Sequence, residues 1–291
     1  MVNQPLVRPG ATYADHSRAG TGLAGVVFPL VISASLNRFG FRTTLRALSV
    51  ALFLLTMPLL HFVKPRIPPA PGSGRRRFNL SWLWSPQFLI FEAGNVIQSL
   101  GFFLPQIYLP SYASQLQHNT DDSSINFLSS LTLVLFNVAS VGGCIGMGYI
   151  IDRLHVTTCI MLSTVGSVIS VFLIWGFTGT QSGLGLLYVF CIVYGLFAGS
   201  YSSAWTGVIR VLLGKNQSAE PNLIFGFLAA GRGIGNVVSG PLSEALLSKS
   251  AAKGITGLAY GSEYAPLVVF TGVTALIGGM SVLGRLRPGL L

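Results

Sequence analysis

The sequence predicts an all-α polytopic membrane protein, and three observations carry that prediction. Of the 291 residues 51% are hydrophobic, gathered into about eight runs each long enough to cross a bilayer. A hydrocarbon core about 30 Å thick needs around 20 mostly apolar residues at helical rise. Charged residues make up 9% of the chain, against about a quarter in a soluble domain. Finally, runs such as 128–136 and 165–176 are apolar on all sides and lack the alternation over about ten residues that marks a membrane β-barrel. In lipid every backbone polar group must be satisfied within its own segment, which leaves the helix.

Taken in order, residues 1–18 hold Pro5, Pro9 and Asp15 but no apolar stretch. They read as a cytoplasmic tail and not as a cleavable signal peptide. The first two spans, 19–36 and 45–63, flank Arg38, Arg42 and Arg46. Residues 64–81 open with KPRIPPAPGSGRRRF; Pro and Gly exclude a helix there, and the basic residues mark a cytoplasmic linker. Span 82–111 then runs outward to a polar loop at 112–124, and span 125–151 returns to Asp152 and Arg153. Spans 156–177 and 184–213 meet outside at 178–183, and the turn 214–222 is inside. Span 223–247 leads out again, and 266–286 returns to a cytoplasmic tail at 287–291. The Arg38 cluster falls on the outside of this alternation, although the inside collects roughly twice as many Lys and Arg overall. Asn79 and Asn216 head glycosylation sequons on the expected cytoplasmic side, where they stay unmodified. Trp82, Trp84, Tyr112 and Tyr264 lie near span ends, where amphipathic rings favour the interface. Pro29, Pro58, Pro105, Pro110 and Pro241 fall inside spans, as bends a moving bundle could use or as static kinks.

Composition narrows the function classes. The 18 Lys and Arg against 8 Asp and Glu give a net charge of +10. This charge is confined to span ends, which is an orientation signal; nucleic acid is not an expected partner. Cys144, Cys159 and Cys191 sit within apolar spans, away from any CxxC spacing, and read as buried free thiols. His16, His61, His118 and His155 are scattered, so no metal site is expected. No nucleophile elbow or phosphate-binding loop is present, which argues against an enzyme, against a cofactor and against ATP-driven transport by this chain alone.

Arg232 stands out among the candidate functional residues, about nine residues into a span. A charge at membrane depth costs roughly 2.5–3.5 kcal/mol, so it should face a protein partner or a water-filled cavity. Its fork suits a carboxylate, making it either a substrate-binding arm or a structural Arg satisfied by helix carbonyls or an acid such as Glu92. Asn236, in the same run, joins the candidate set. Gly231, Gly233 and Gly235 around it suit close helix packing. Glu92, Asn95 and Gln98, at spacings of three and six, share roughly one helical face. That face could line a cavity with Glu92 carrying a proton, or Glu92 could be an interfacial acid. Tyr108 follows on the same span, and Ser200, Tyr201, Ser203 and Trp205 give a second mixed aromatic and hydroxyl face. Gly148, Asp152 and Arg153 end a long span in GYIIDRLH. They form either a gating latch to a neighbouring helix end or a solvated turn.

Several runs together resemble a known family. GTGLAGVVFP at 20–29 with LNRFGFR at 36–42 is similar to the fifth helix and following loop of fungal monocarboxylate-transporter-like members of the major facilitator superfamily. GFFLPQIYLP at 101–110 resembles that family's seventh helix, GYIIDR at 148–153 its loop after helix eight, and AGRGIGNVVSGPLS at 230–243 its eleventh helix. The resemblance implies a major facilitator-type helical bundle: a complete C-terminal six-helix bundle at 82–286 preceded by the last two helices of the N-terminal bundle at 19–63. Helices one to four of that design have no counterpart here, which implies an N-terminally truncated form. Animal relatives carry an Asp and an Arg four residues apart in helix eight; here that helix is uncharged until Asp152, which weakens the case for proton-coupled carboxylate transport.

The expected function is a secondary transporter moving a small organic, anionic solute by alternating access. That solute is a monocarboxylate or a secondary metabolite. The competing reading is a truncated non-transporting paralogue or regulatory partner of a full-length transporter. Expected partners are the lipid bilayer, the solute, protons, and a second copy or a full-length transporter. The plasma membrane is the default location and the vacuolar membrane the alternative.

Overall fold

The computed structural model describes residues 11–62, 80–116, 122–179, 183–215, 220–250 and 258–282. Its helices are α1 (Ala11–Phe62), α2 (Pro86–Leu116), α3 (Asp122–Ile151), α4 (Val156–Ile169), α5 (Gly183–Ala198), α6 (Trp205–Lys215), α7 (Pro221–Ser248) and α8 (Ala265–Gly278). Short tight-turn segments precede α2, link α5 to α6 and extend α8 to Val282. A π-helical stretch, Ser170–Trp175, continues α4. Among the described residues the only extended pairing is a bridge between Gly179 and Leu258. The protein is thus an all-α, multi-pass membrane protein, with six described helices long and apolar enough to cross a bilayer. Ala265–Gly278 is a shorter apolar helix.

Two expectations about helix ends change. The segment around Arg38 and Arg42 is not a loop: both sides of it are helical, and the chain turns at Gly40 alone (φ 73°, ψ 170°). Only a residue without Cβ takes that backbone conformation readily. Val31, Ser35, Phe39, Thr43, Ala47 and Ala51, on the two sides of Gly40, line an apolar hollow of about 350 Å³. The polar loop expected from 112 does not begin there either, because α2 runs on to Leu116. Tyr112 is fully buried, and Trp82 and Tyr264 are nearly so, whereas Trp84 is 82% exposed. Three of the four rings expected at the interface are therefore packing residues. Residues 64–79 and the tail at 287–291 lie outside the described residues, as do Asn79 and Asn216.

Helix α2 is the axle of the bundle. It packs along α7 on one side and α8 on another, while α3 packs against α5 and α1 rests on α3. The second half of α1 lays most of its large side chains outward, Leu54, Leu55, Leu60 and Phe62 among them. Small residues set the closeness of these contacts. A Cβ on Gly94 would lie 2.8 Å from the Gly278 carbonyl across the α2–α8 contact. A Cβ on Gly235 would collide with Ser99 across the α2–α7 contact. Such approaches give the dispersion contacts that hold helices together where lipid is as apolar as Leu. Gly233, by contrast, faces open space, so the packing explanation holds for Gly231 and Gly235 but not for it.

Two apolar clusters sit at opposite ends of the bundle. One joins Phe102, Leu109 and Tyr112 of α2 to Trp175, Phe190, Tyr194 and Leu267. The other joins Trp82, Phe88 and Phe91 to Ile151, Ile160, Trp205, Leu212 and Ile224. Between them α2 carries a short polar waist, Asn95, Gln98 and Ser99, all buried.

Candidate functional site

The waist is where α2 meets Arg232. Its guanidinium donates from Nη1 to Gln98 Oε1 at 3.1 Å. It also lies over the Phe102 ring, with Cζ 4.5 Å from the centroid. Phe102 is four residues after Gln98, so one face of α2 supplies both the acceptor and the π surface. A desolvated cation–π contact contributes about 2 kcal/mol, enough with the hydrogen bond to offset much of the cost of burying the charge. Tyr201, Tyr194 and Cys144 lie within electrostatic range of the guanidinium. Tyr194 stacks on Phe102 at 6.3 Å with 29° between planes, extending the aromatic floor. Gln98 is the one described hydrogen-bond acceptor of a group with five N–H donors. This leaves a fork able to take a planar anion.

One turn earlier on α2, Asn95 donates from Nδ2 to the Leu228 carbonyl of α7 at 2.7 Å. Its Oδ1 is buried with no partner among the described residues, as are Glu92 Oε2 and, on α7, Asn236 Oδ1. Glu92 is partly buried against α7, where a Cβ on Gly231 would collide with its Oε1. Glu92 forms no ion pair with Arg232 among the described residues, so of the two structural partners considered for Arg232 neither the acid nor a helix carbonyl is the one found. Tyr201 donates to the Gly278 carbonyl at 3.4 Å, tying the segment after α5 to the end of α8 beside the waist.

The structure separates two other candidates from this group. Tyr108 shares a 3.0 Å hydrogen bond with Ser243 near the far end of α7. Trp205 belongs to the opposite apolar cluster, edge-on to Phe225 at 5.4 Å. At that same end Asp152 accepts a 3.2 Å hydrogen bond from Arg210 of α6, both side chains being largely exposed. Arg153 does not share the latch; it folds over the Tyr149 ring at 4.3 Å on its own helix. Gly148 lies one turn before Asp152 on α3. Sequence reasoning missed Phe102, Tyr194 and Arg210. Phe102 was reachable from its spacing to Gln98, but Tyr194 and Arg210 become partners only through helix packing.

The thiols of Cys144, Cys159 and Cys191 are free. Cys144 donates weakly to the Gly199 carbonyl at 3.5 Å, a helix-packing contact.

A family model described as Major Facilitator Superfamily matches residues 17–240. The chain is 26% identical over 279 residues to the fujikurins efflux protein of Gibberella fujikuroi, covering 96% of this chain and 55% of that protein. It is 25% identical over 273 residues to the MFS transporter asaE of Aspergillus flavus, covering 93% and 56% respectively. Human monocarboxylate transporter 11 is 26% identical over 235 residues, covering 77% of this chain and 49% of that protein. The chain thus spans about half the length of these relatives.

Proposed function

We propose that this chain, which belongs to the Major Facilitator Superfamily, handles a small organic anion at the α2–α7 waist as part of a secondary transport cycle. The observation that carries the reading is Arg232: a membrane-depth guanidinium held on Phe102 and Gln98 with donors to spare. Gln98 and Phe102 position the fork, Asn95 and Asn236 offer further polar contacts beside it, and Tyr201 borders the site. Tyr108 and Trp205 lie towards the two ends of a route through the bundle. Asp152 and Arg210 act as the gate at one end, with Gly148 allowing close approach there and Arg153 held in reserve on Tyr149. The similarity to a human monocarboxylate transporter supports an organic anion as solute, and that to a fujikurins efflux protein supports transport. On this reading residues 19–63 and 82–286 belong to two different bundles, and the plasma membrane is the site of action.

Counterflow of radiolabelled pyruvate into proteoliposomes tests the reading. Wild-type protein should exchange label, and Arg232→Lys, which keeps the charge but loses the fork, should lower exchange about tenfold or more. Equal exchange in the two proteins removes Arg232 from the site. The chain's coverage of about half its relatives' length favours a second reading, a subunit acting with a full-length transporter. Flux that needs a co-reconstituted full-length relative, with none from the chain alone, selects that reading.

A further inference from the structure

Charge and hydrogen-bonding capacity are unevenly spread along the α2–α7 contact. At the Gln98 level there is a surplus of donors, since Arg232 has five N–H groups and one described acceptor. Two turns away, at the Glu92 level, there is a surplus of acceptors. Glu92 Oε2 and Asn95 Oδ1 are both buried without a partner among the described residues. Asn95 is only 1% exposed; its amide nitrogen donates to the Leu228 carbonyl and also serves the Glu92 carboxylate, so the amide has no donor left over for its own level. The amide oxygen is left as a buried acceptor without a partner among the described residues. Leaving such an oxygen unmet costs about 1–3 kcal/mol, and more for a charged group. Each such case in a folded protein asks for an explanation, a bound cation or ligand among them. The simplest internal remedy, closing Arg232 onto Glu92, is not taken: Gln98 holds the guanidinium instead.

We infer that Glu92 and Asn95 form a cation subsite paired with the Arg232 anion subsite, so that the solute is a zwitterion carrying a carboxylate and a separate protonated amine. The inference rests on the anion reading of Arg232. Six residues of helix separate the backbone positions of Glu92 and Gln98, about 9 Å along the axis. That spacing suits an amine several bonds from the carboxylate better than an α-amino acid. An ammonium group supplies the donors that a carboxylate and an amide oxygen lack. Meanwhile the carboxylate end takes the fork of Arg232 in the bidentate geometry that guanidinium favours. Such a solute also gives each of the two protein charges an opposite partner, which lets both stay in the membrane interior. Gly231 completes the arrangement, because any side chain there would displace Glu92 from α7.

The test is binding of 6-aminohexanoate and of hexanoate to the purified full chain in lipid nanodiscs, followed by calorimetry. Wild-type protein should bind 6-aminohexanoate at least about tenfold more tightly than hexanoate. Glu92→Gln, which keeps size and removes charge, should erase that preference while leaving hexanoate affinity within about twofold. Arg232→Lys should weaken both ligands. Equal wild-type affinities, or a preference that survives Glu92→Gln, overturn the cation subsite while the anion site stands. Proton uptake on hexanoate binding that vanishes in Glu92→Gln overturns it too, by making a proton the cation. Hexanoate affinity untouched by Arg232→Lys removes the anion site, and with it the present inference. The wild-type comparison needs no variant, so a misfolded mutant does not blunt the test.

Discussion

At one end of the bundle α2, the π-helical end of α4 and the segment before α8 are tied together by short hydrogen bonds. At the other, α3 and α6 are joined by one described ion pair that water can reach. The first set is dense. Tyr112 bonds the Thr178 hydroxyl at 2.8 Å and its carbonyl at 3.2 Å. The Ala259 amide donates to the Thr178 carbonyl at 2.7 Å. Tyr260 donates to the Phe172 carbonyl at 2.7 Å, satisfying a group in the π-helical stretch, and Gln115 donates to Glu263 at 2.7 Å. The second set is Asp152 with Arg210, with side chains 60% and 62% exposed. Breaking a buried hydrogen bond costs about 1–3 kcal/mol, whereas an exposed ion pair contributes about 0–1. In polar contacts, though not in apolar packing, the Asp152 end is therefore the less firmly tied. The proposed gate at Asp152 requires this inequality, one end held while the other yields.

The comparison can be broken most severely at Trp175, which is fully buried and stacked on Phe190 at 5.2 Å. Trp175→Ala should destabilise the detergent-solubilised protein by about 3 kcal/mol, set by the void it leaves. A loss below about 1 kcal/mol in thermal unfolding shows that the tyrosine end is not the firm one. Next in size, Tyr112→Phe keeps the ring and removes one hydrogen-bonding hydroxyl, for an expected loss of about 1 kcal/mol, since Thr178 keeps Ala259 and Trp175 as partners. The same melting experiment reads it. Smallest is Asp152→Asn, expected to change stability by no more than about 0.5 kcal/mol, an effect that fades as salt is raised. Its consequence should lie in motion: spin labels on α3 and α6 should report a larger open population at low salt. A double-mutant cycle with Arg210→Gln that shows coupling above about 1 kcal/mol would make the two ends alike.

Much of this molecule is legible one segment at a time. Each apolar run is its own helix because a backbone in lipid has no other way to satisfy itself, and spans 125–151 and 223–247 correspond closely to α3 and α7. Arg232 could be singled out for the same reason, since a charge at that depth must have a partner. The i, i+3 and i+6 spacing placed Asn95 and Gln98 on the face that meets α7. Failures came where a local preference met a packed neighbour. Tyr112 and Tyr264 favour an interface when alone, but here they are edge-on to each other at 5.1 Å within the core. Helix α2 continues past Pro110, which a single sequence reads as its end, because the helices around it cover the extra turn and a half.

Local chemistry was therefore enough to establish a membrane-spanning all-α chain and the approximate extent of its helices, and to single out Arg232 as a charge that must find a partner. Which groups meet across the bundle was a matter for tertiary structure alone. Phe102 lies under Arg232, Arg210 rather than Arg153 answers Asp152, and Glu92 forms no ion pair with Arg232 among the described residues. Helical periodicity relates residues within about two turns of one another, whereas these partners are brought together from helices separated by loops and by the whole order of the fold. Their pairing depends on which small residues let two helices close, and that is a property of both surfaces at once.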